Sequence, residues 1–239
     1  DEQVTQIEMK SENGSLVFHR RHRTLRPALN SAAKGDRVNV ASAVYNEQVV
    51  VAAGIVLQGL PKTVLPLGGL GLPKKVKPTI RGYGGPALTL YNADQATIRG
   101  FTLVTEESEA TVLIKGGKYI LEDCEVSGWH VKACVHVTDE STGLLRQNVF
   151  RDGLPHGAGV WVTDGASPEI CENEIYGNGD CGVVVEDEDG PLGDENRDDP
   201  DFSPTAPQIH HNVLRNGRGG GIGIIGAGCR PRIWENRIL

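Results

Sequence analysis

Gly159-Val160-Trp161-Val162-Thr163-Asp164-Gly165 leads into Pro168-Glu169-Ile170-Cys171-Glu172-Asn173-Glu174-Ile175. A turn at Gly177-Asn178-Gly179 and the run Gly182-Val183-Val184-Val185 follow. This stretch decides the fold, because its pattern recurs. Downstream, Gln208-Ile209-His210-His211-Asn212-Val213-Leu214 precedes a turn at Asn216-Gly217, a strand over Gly221–Ile225 and Pro231-Arg232-Ile233-Trp234-Glu235-Asn236-Arg237-Ile238. The unit is Ile-x-x-Asn-x-Ile, centred on Asn148, Asn173, Asn212 and Asn236, with Phe101 and Cys124 in looser copies. The steps between centres are 23, 24, 25, 39 and 24 residues. Subtracting one period from the long step leaves an insertion of about fifteen residues.

Apolar residues alternate within each unit: Val135/Val137, Val160/Val162 and Val183/Val185 form one set, Leu121/Cys124/Val126 and Ile170/Asn173/Ile175 another. Alternation with period two, broken every few residues by Gly and Asn, marks short strands rather than helices. Two or three such strands per coil of about two dozen residues describe an all-β, single-stranded right-handed parallel β-helix. Stacked coils bring each recurrent Asn over the next, so these amides are expected to form an internal ladder.

The bounds agree. Thirty-one glycines and only 5% aromatic residues suit many tight turns around a narrow aliphatic core, and a solenoid of 239 residues can be a single unit. A net charge of −7 argues against nucleic acid, and no apolar run is long enough for a membrane helix. Five cysteines without CxxC spacing suggest buried reduced thiols and a cytoplasmic setting, cytoskeleton-associated or nuclear included. Residues 1–23 read as a leader or edge strand and 24–239 as the β-helix. Within the latter, Thr24 opens a short capping helix with Leu25, Leu29, Ala32 and Ala33 on one face and Gly35 as its stop. Leu60–Lys77, rich in Gly, Pro and Lys, reads as an excursion between early coils. The chain stops directly after a repeat unit, so the sequence is expected to be part of a longer polypeptide.

The run Gly159–Ile175 resembles the right-handed β-helix repeats of the F-box-only ubiquitin-ligase receptors, over roughly residues 96–239. Leu25–Gly59 resembles the first coil of the wider carbohydrate-binding and sugar-hydrolase β-helix class. That class includes Shc-binding spindle and midbody proteins, periplasmic copper-site accessory proteins, and polysaccharide lyases and epimerases. The resemblance implies substrate recognition for a ubiquitin ligase or cytoskeletal and cell-division scaffolding, with glycan chemistry as the other branch.

Three sets of residues are candidates for function. The insertion, at about 186–207, carries nine acids and one base over residues 186–201: Glu186, Asp187, Glu188, Asp189, Asp194, Glu195, Asp198, Asp199 and Asp201 against Arg197. Such a segment suits a basic protein partner, or Ca²⁺ if the chain is an enzyme, although EF-hand spacing is missing. Asp139, Asp164 and Asp187 each follow a valine strand by two residues and stack as a carboxylate ladder, a weak metal candidate set against a simple role in Asx turns. No basic residue recurs beside that ladder in the sequence. His136 and Trp161 should point outward, able to anchor a partner or stack on a sugar. His130, His156 and the His210-His211 pair lack metal-ligand spacing. Gly221–Gly226 matches a dinucleotide fingerprint as a string but reads as a repeat strand. The expectation is a non-catalytic protein-binding scaffold without a cofactor, with a polysaccharide lyase, hydrolase or epimerase acting on acidic glycans as the alternative.

Overall fold

A computed structural model describes residues 5–10, 17–65, 72–187 and 203–239. The strands pair in parallel, each with its counterpart one coil away, and wind around three faces. The first face runs Arg37–Ala41, Val56–Leu60, Ala96–Arg99, Lys118–Glu122, Thr142–Arg146, Glu169–Cys171, Gln208–His210 and Arg232–Trp234. The second begins at Val44–Tyr45 and Thr79–Tyr83 and ends at Glu174–Tyr176, Val213–Arg215 and Arg237–Ile238. The third includes Val49–Val51, Leu88–Tyr91, Ala158–Val162, Val183–Glu186 and Ile222–Ile225. Two 14-residue strands, Thr102–Lys115 and Glu125–Thr138, run through the corner between the second and third faces with register shifts on the way. This is the right-handed parallel β-helix expected from the repeat.

Most corners carry a left-handed backbone residue, a conformation that Gly, Asn and Asp adopt at least cost. Between the first and second faces these are Gly100, Asp123, Gln147, Glu172, His211 and Glu235, each directly before a repeat centre. Between the second and third they include Gly84, Glu107, Asp152, Gly177 and Asn216. The return corner uses adjacent pairs: Gly116-Gly117, Asp139-Glu140 and Asp164-Gly165.

Inside, the valines at 135, 137, 160, 162, 183 and 185 are fully buried, as their alternation predicts. The Asn ladder is present. The Asn148 backbone N–H and side-chain amide both donate to Asn173 Oδ1, at 3.0 and 3.1 Å. Asn173 does the same to Asn212 Oδ1, and Asn212 to Asn236 Oδ1. Each amide also donates to a first-face carbonyl: Leu121, Leu145, Ile170 and Ile209 in turn. The amide column therefore ties each corner to the neighbouring coils, while Cys124 and Phe101 continue it as apolar core.

Thr5–Lys10 and Val17–His22 form an antiparallel pair that extends the first face, with Thr5–Lys10 bonded to Arg37–Ala41. The helix Leu25–Ser31 packs on this end and buries Leu25, Ala28 and Leu29. Its N-terminus differs from the sequence expectation: Thr24 makes no side-chain cap. Instead the Glu47 carboxylate accepts from the Leu25 and Arg26 N–H groups at 2.9 and 3.1 Å, a negative group suited to the helix's positive end. The excursion at 60–77 contains a two-stranded antiparallel pair, Lys62–Val64 with Lys74–Val76, exposed throughout.

Candidate functional site

The outward side chains of the third face converge. Pairing places Leu113, His136, Trp161 and Val184 in one column and Lys115, Thr138, Thr163 and Glu186 in or beside the next. Glu109, from the preceding corner, receives Lys132 Nζ at 3.0 Å and lies 3.8 Å from His136 Nδ1. Lys132 Nζ sits 5.9 Å from the Trp161 ring centroid, and Trp161 Nε1–H donates to Glu186 Oε2 at 2.8 Å. Thr163 Oγ1 donates to Asp164 Oδ2 at 2.8 Å and so accepts from His136 Nε2 at 3.2 Å. Thr138 contacts both Asp139 and Asp164. A single network thus crosses four coils and joins His136, Trp161, Glu186, Asp139 and Asp164, all singled out by sequence.

Electrostatics keeps these groups in fixed states at neutral pH. The Lys132 hydrogen bond holds Glu109 below the usual carboxylate range. Hydrogen bonds from Thr138 and then Thr163 hold Asp164 low as well, against a burial effect in the other direction. Burial, followed by the positive charge of Lys132, pushes His136 down to about 4. His136 is 5% exposed, so it faces outward from its strand yet lies beneath its neighbours, and its Nδ1 has no hydrogen-bond partner. Trp161 is only partly covered.

The carboxylate ladder stacks in register but its members have separate duties. Asp139 and Asp164 occupy left-handed turn positions and bond to threonines. Asp187 is buried and accepts from the Thr205 N–H and Oγ1 at 3.0 and 2.9 Å, while Gly165 N–H donates to Thr205 Oγ1. The insertion is therefore pinned at both ends by body residues, inside the bounds drawn from sequence. Lys115 Nζ lies 3.9 Å from Asp139 Oδ2, a basic neighbour that reading along the strand did not reveal because it belongs to the previous coil. Glu188, Asp189, Asp194, Glu195, Asp198, Asp199 and Asp201 lie outside the described residues.

Trp129 is the functional candidate that sequence reasoning missed. It is 59% exposed at the corner between the second and third faces. With Gly85, Glu107, Glu109, Ala110 and Leu113 it lines a cleft of about 470 Å³, and Glu109 joins that cleft to the network. Its sequence signal was its place: a lone tryptophan in the irregular corner, where no core position calls for one. On the first face, the ligand atoms of Glu169, Cys171 and His210 lie within 4.8 Å of one another. Glu169 and Cys171 come from the coil adjacent to His210, so their proximity is not visible as spacing along the sequence. Burial and the Glu169 and Glu172 charges push the Cys171 thiol up to about 11. All five cysteines are free and buried, as expected.

A three-faced parallel solenoid carrying a charged and aromatic outer network defines a β-helix with a side-chain-built surface site. The chain belongs to the right-handed β-helix family, whose model, described as a right handed beta helix region, matches residues 77–238. Searches of curated proteins and of solved structures returned no match. Among the described residues, no helix is long and apolar enough to cross a membrane.

Proposed function

We propose that this β-helix is a non-catalytic protein-binding scaffold whose third outer face takes the partner, with substrate recognition for a ubiquitin ligase or cytoskeletal and cell-division scaffolding as its setting. The observation that carries this reading is the exposed Trp129, which shares its cleft with Glu109, a carboxylate already paired with Lys132. An aromatic anchor surrounded by groups already satisfied loses little on desolvation, which is how protein interfaces concentrate their energy. The acidic run within residues 188–201 follows directly on Glu186 and suits a partner with basic side chains. Catalysis draws less support: Glu109 and Asp164 are held ionised and His136 neutral, whereas glycan cleavage by acid–base chemistry needs a group poised near working pH.

The second reading, glycan binding, is favoured by one specific observation: Trp129, Glu107 and Glu109 share a cleft of sugar-sized volume. The two are separated by affinity capture from native extract with the full chain, Trp129→Ala and a form lacking residues 188–202, alongside a glycan array. The scaffold reading expects specific proteins to be lost from both variants and no array signal. Glycan binding that disappears in Trp129→Ala, with unchanged protein capture, contradicts it.

A further inference from the structure

We infer that Glu169, Cys171 and His210 form a zinc site on the first outer face, independent of the third-face network. Three observations converge. The first is placement. Cys171 pairs with His210 in the adjacent coil, and Glu169 projects from the same side of its strand two residues earlier, while Ile170 between them is fully buried. Their potential ligand atoms lie within 4.8 Å of one another, and Glu169 Oε1 is 3.1 Å from His210 Nε2. A carboxylate oxygen, a thiolate sulfur and an imidazole nitrogen are the donors zinc accepts, and sulfur with nitrogen disfavours Ca²⁺ and Mg²⁺.

The second observation is the support behind the ligands. The His210 ring stacks on Trp234, centroids 4.3 Å apart and planes 12° apart, so its orientation is fixed. His210 Nδ1 lies 2.8 Å from His211 Nδ1, and His211 Nε2 lies 2.6 Å from Glu235 Oε2. This chain of contacts matches what holds a metal-binding histidine in place: the nitrogen away from the ion donates to an acceptor, here His211, which is itself oriented by a carboxylate.

The third is hydrogen-bond satisfaction. Three contacts need a bridging positive centre: Glu169 with His210 Nε2, the two Nδ1 atoms with each other, and His211 Nε2 with Glu235. Two neutral imidazoles carry one N–H each, enough for two of the three. With those protons on His210 Nδ1 and His211 Nε2, the bare His210 Nε2 and the Glu169 carboxylate face each other, and both are metal donors. Zn²⁺ placed there displaces the Cys171 thiol proton to solvent and gains a third protein ligand. Three protein ligands leave the fourth position of a tetrahedral zinc to water or a small ligand, and Glu169 is partly open to solvent and borders a groove of about 580 Å³ lined by Tyr119, Leu144 and Gln208.

The test uses the full chain, stripped with a chelator and titrated with Co²⁺, then with Zn²⁺ in competition. The expected result is one equivalent of Co²⁺, a near-ultraviolet thiolate-to-cobalt band with intense visible bands, and loss of both as Zn²⁺ displaces it. Cys171→Ser should remove the thiolate band while Cys181→Ser keeps it. His211→Ala, which leaves all three ligands in place, should weaken binding by about 10–100-fold, as loss of an orienting partner does. Circular dichroism of each variant establishes that it is folded. A Co²⁺ spectrum without a thiolate band, a band that survives in Cys171→Ser, or no stoichiometric binding of either ion would overturn the assignment.

Discussion

Replacing Asn173 by leucine removes the middle of the amide ladder. In the wild type, Asn173 Oδ1 accepts from the Asn148 N–H and its side-chain amide, and Asn173 Nδ2 donates to Leu145 O and Asn212 Oδ1. Asn148 and Asn212 keep other side-chain partners, because Asn148 Nδ2 also reaches Leu121 O and Asn212 Oδ1 still accepts from the backbone N–H of residue 173. The Asn148 N–H has no replacement acceptor in a dry interior, whereas the Leu145 carbonyl stays within the strand pairing with the next coil. An orphaned buried donor costs about 1–3 kcal/mol, so a net destabilisation of about 1–3 kcal/mol is expected. For a chain of this size, that is a fall in Tm of about 2–12 °C. Asn236→Leu should cost less, since Asn236 is only partly buried. Urea denaturation followed by circular dichroism measures both, with the first transition used if the solenoid unfolds in steps. A change below about 0.5 kcal/mol for Asn173→Leu, within the range of an indifferent surface substitution, would refute the reasoning.

Three further outcomes follow from the site. His136 ionises at about 4 when folded, against 6.5 for the free side chain, so the unfolded chain binds more protons between those values. Its contribution is therefore complete above pH 6.5 and is lost as pH falls toward 4, at most about 3 kcal/mol; Glu109, Asp164, Lys115 and Lys132 surround it, and His136→Gln should flatten the stability profile in that window, whereas an unchanged slope assigns the acid loss to other groups. Asp187→Ala should cost about 1–3 kcal/mol by orphaning the Thr205 donors, while exchanging residues 188–202 for a short Gly-Ser turn leaves Tm nearly unchanged; the reverse order of effects would contradict the assignment of Asp187 to the body. Pectate and alginate should yield no unsaturated product by absorbance, with or without Ca²⁺; calcium-dependent product that disappears in Asp164→Asn would promote the enzyme reading.

Most of the fold was legible because a solenoid repeats its physics. The valine pairs, the Asn centres and the long step each reported a contact between residues about one period apart. What the sequence did not display were contacts set by side-chain reach across a corner. Glu47 caps a helix 21 residues earlier, although Thr24 occupies the N-cap position with a suitable side chain. Lys115 reaches Asp139 and Lys132 reaches Glu109 because neighbouring coils place them together, so scanning for a base beside the ladder found none. Outward direction was read correctly for His136 and Trp161, but alternation reports which side of a strand a residue occupies, not what covers it. His136 is roofed by Glu109 and Lys132, whereas Trp129, on an irregular corner with no alternation to follow, is open to solvent.

Protein binding by the third outer face is the proposed function. It is tested most directly by quantitative capture from native extract with the wild type, the Trp129→Ala/Trp161→Ala double variant and a first-face control, Arg146→Ala, all shown to be folded. A defined set of proteins should be retained by the wild type and by Arg146→Ala and lost by the double variant. Retention of the same proteins by the double variant, or their loss only in the first-face control, would contradict it.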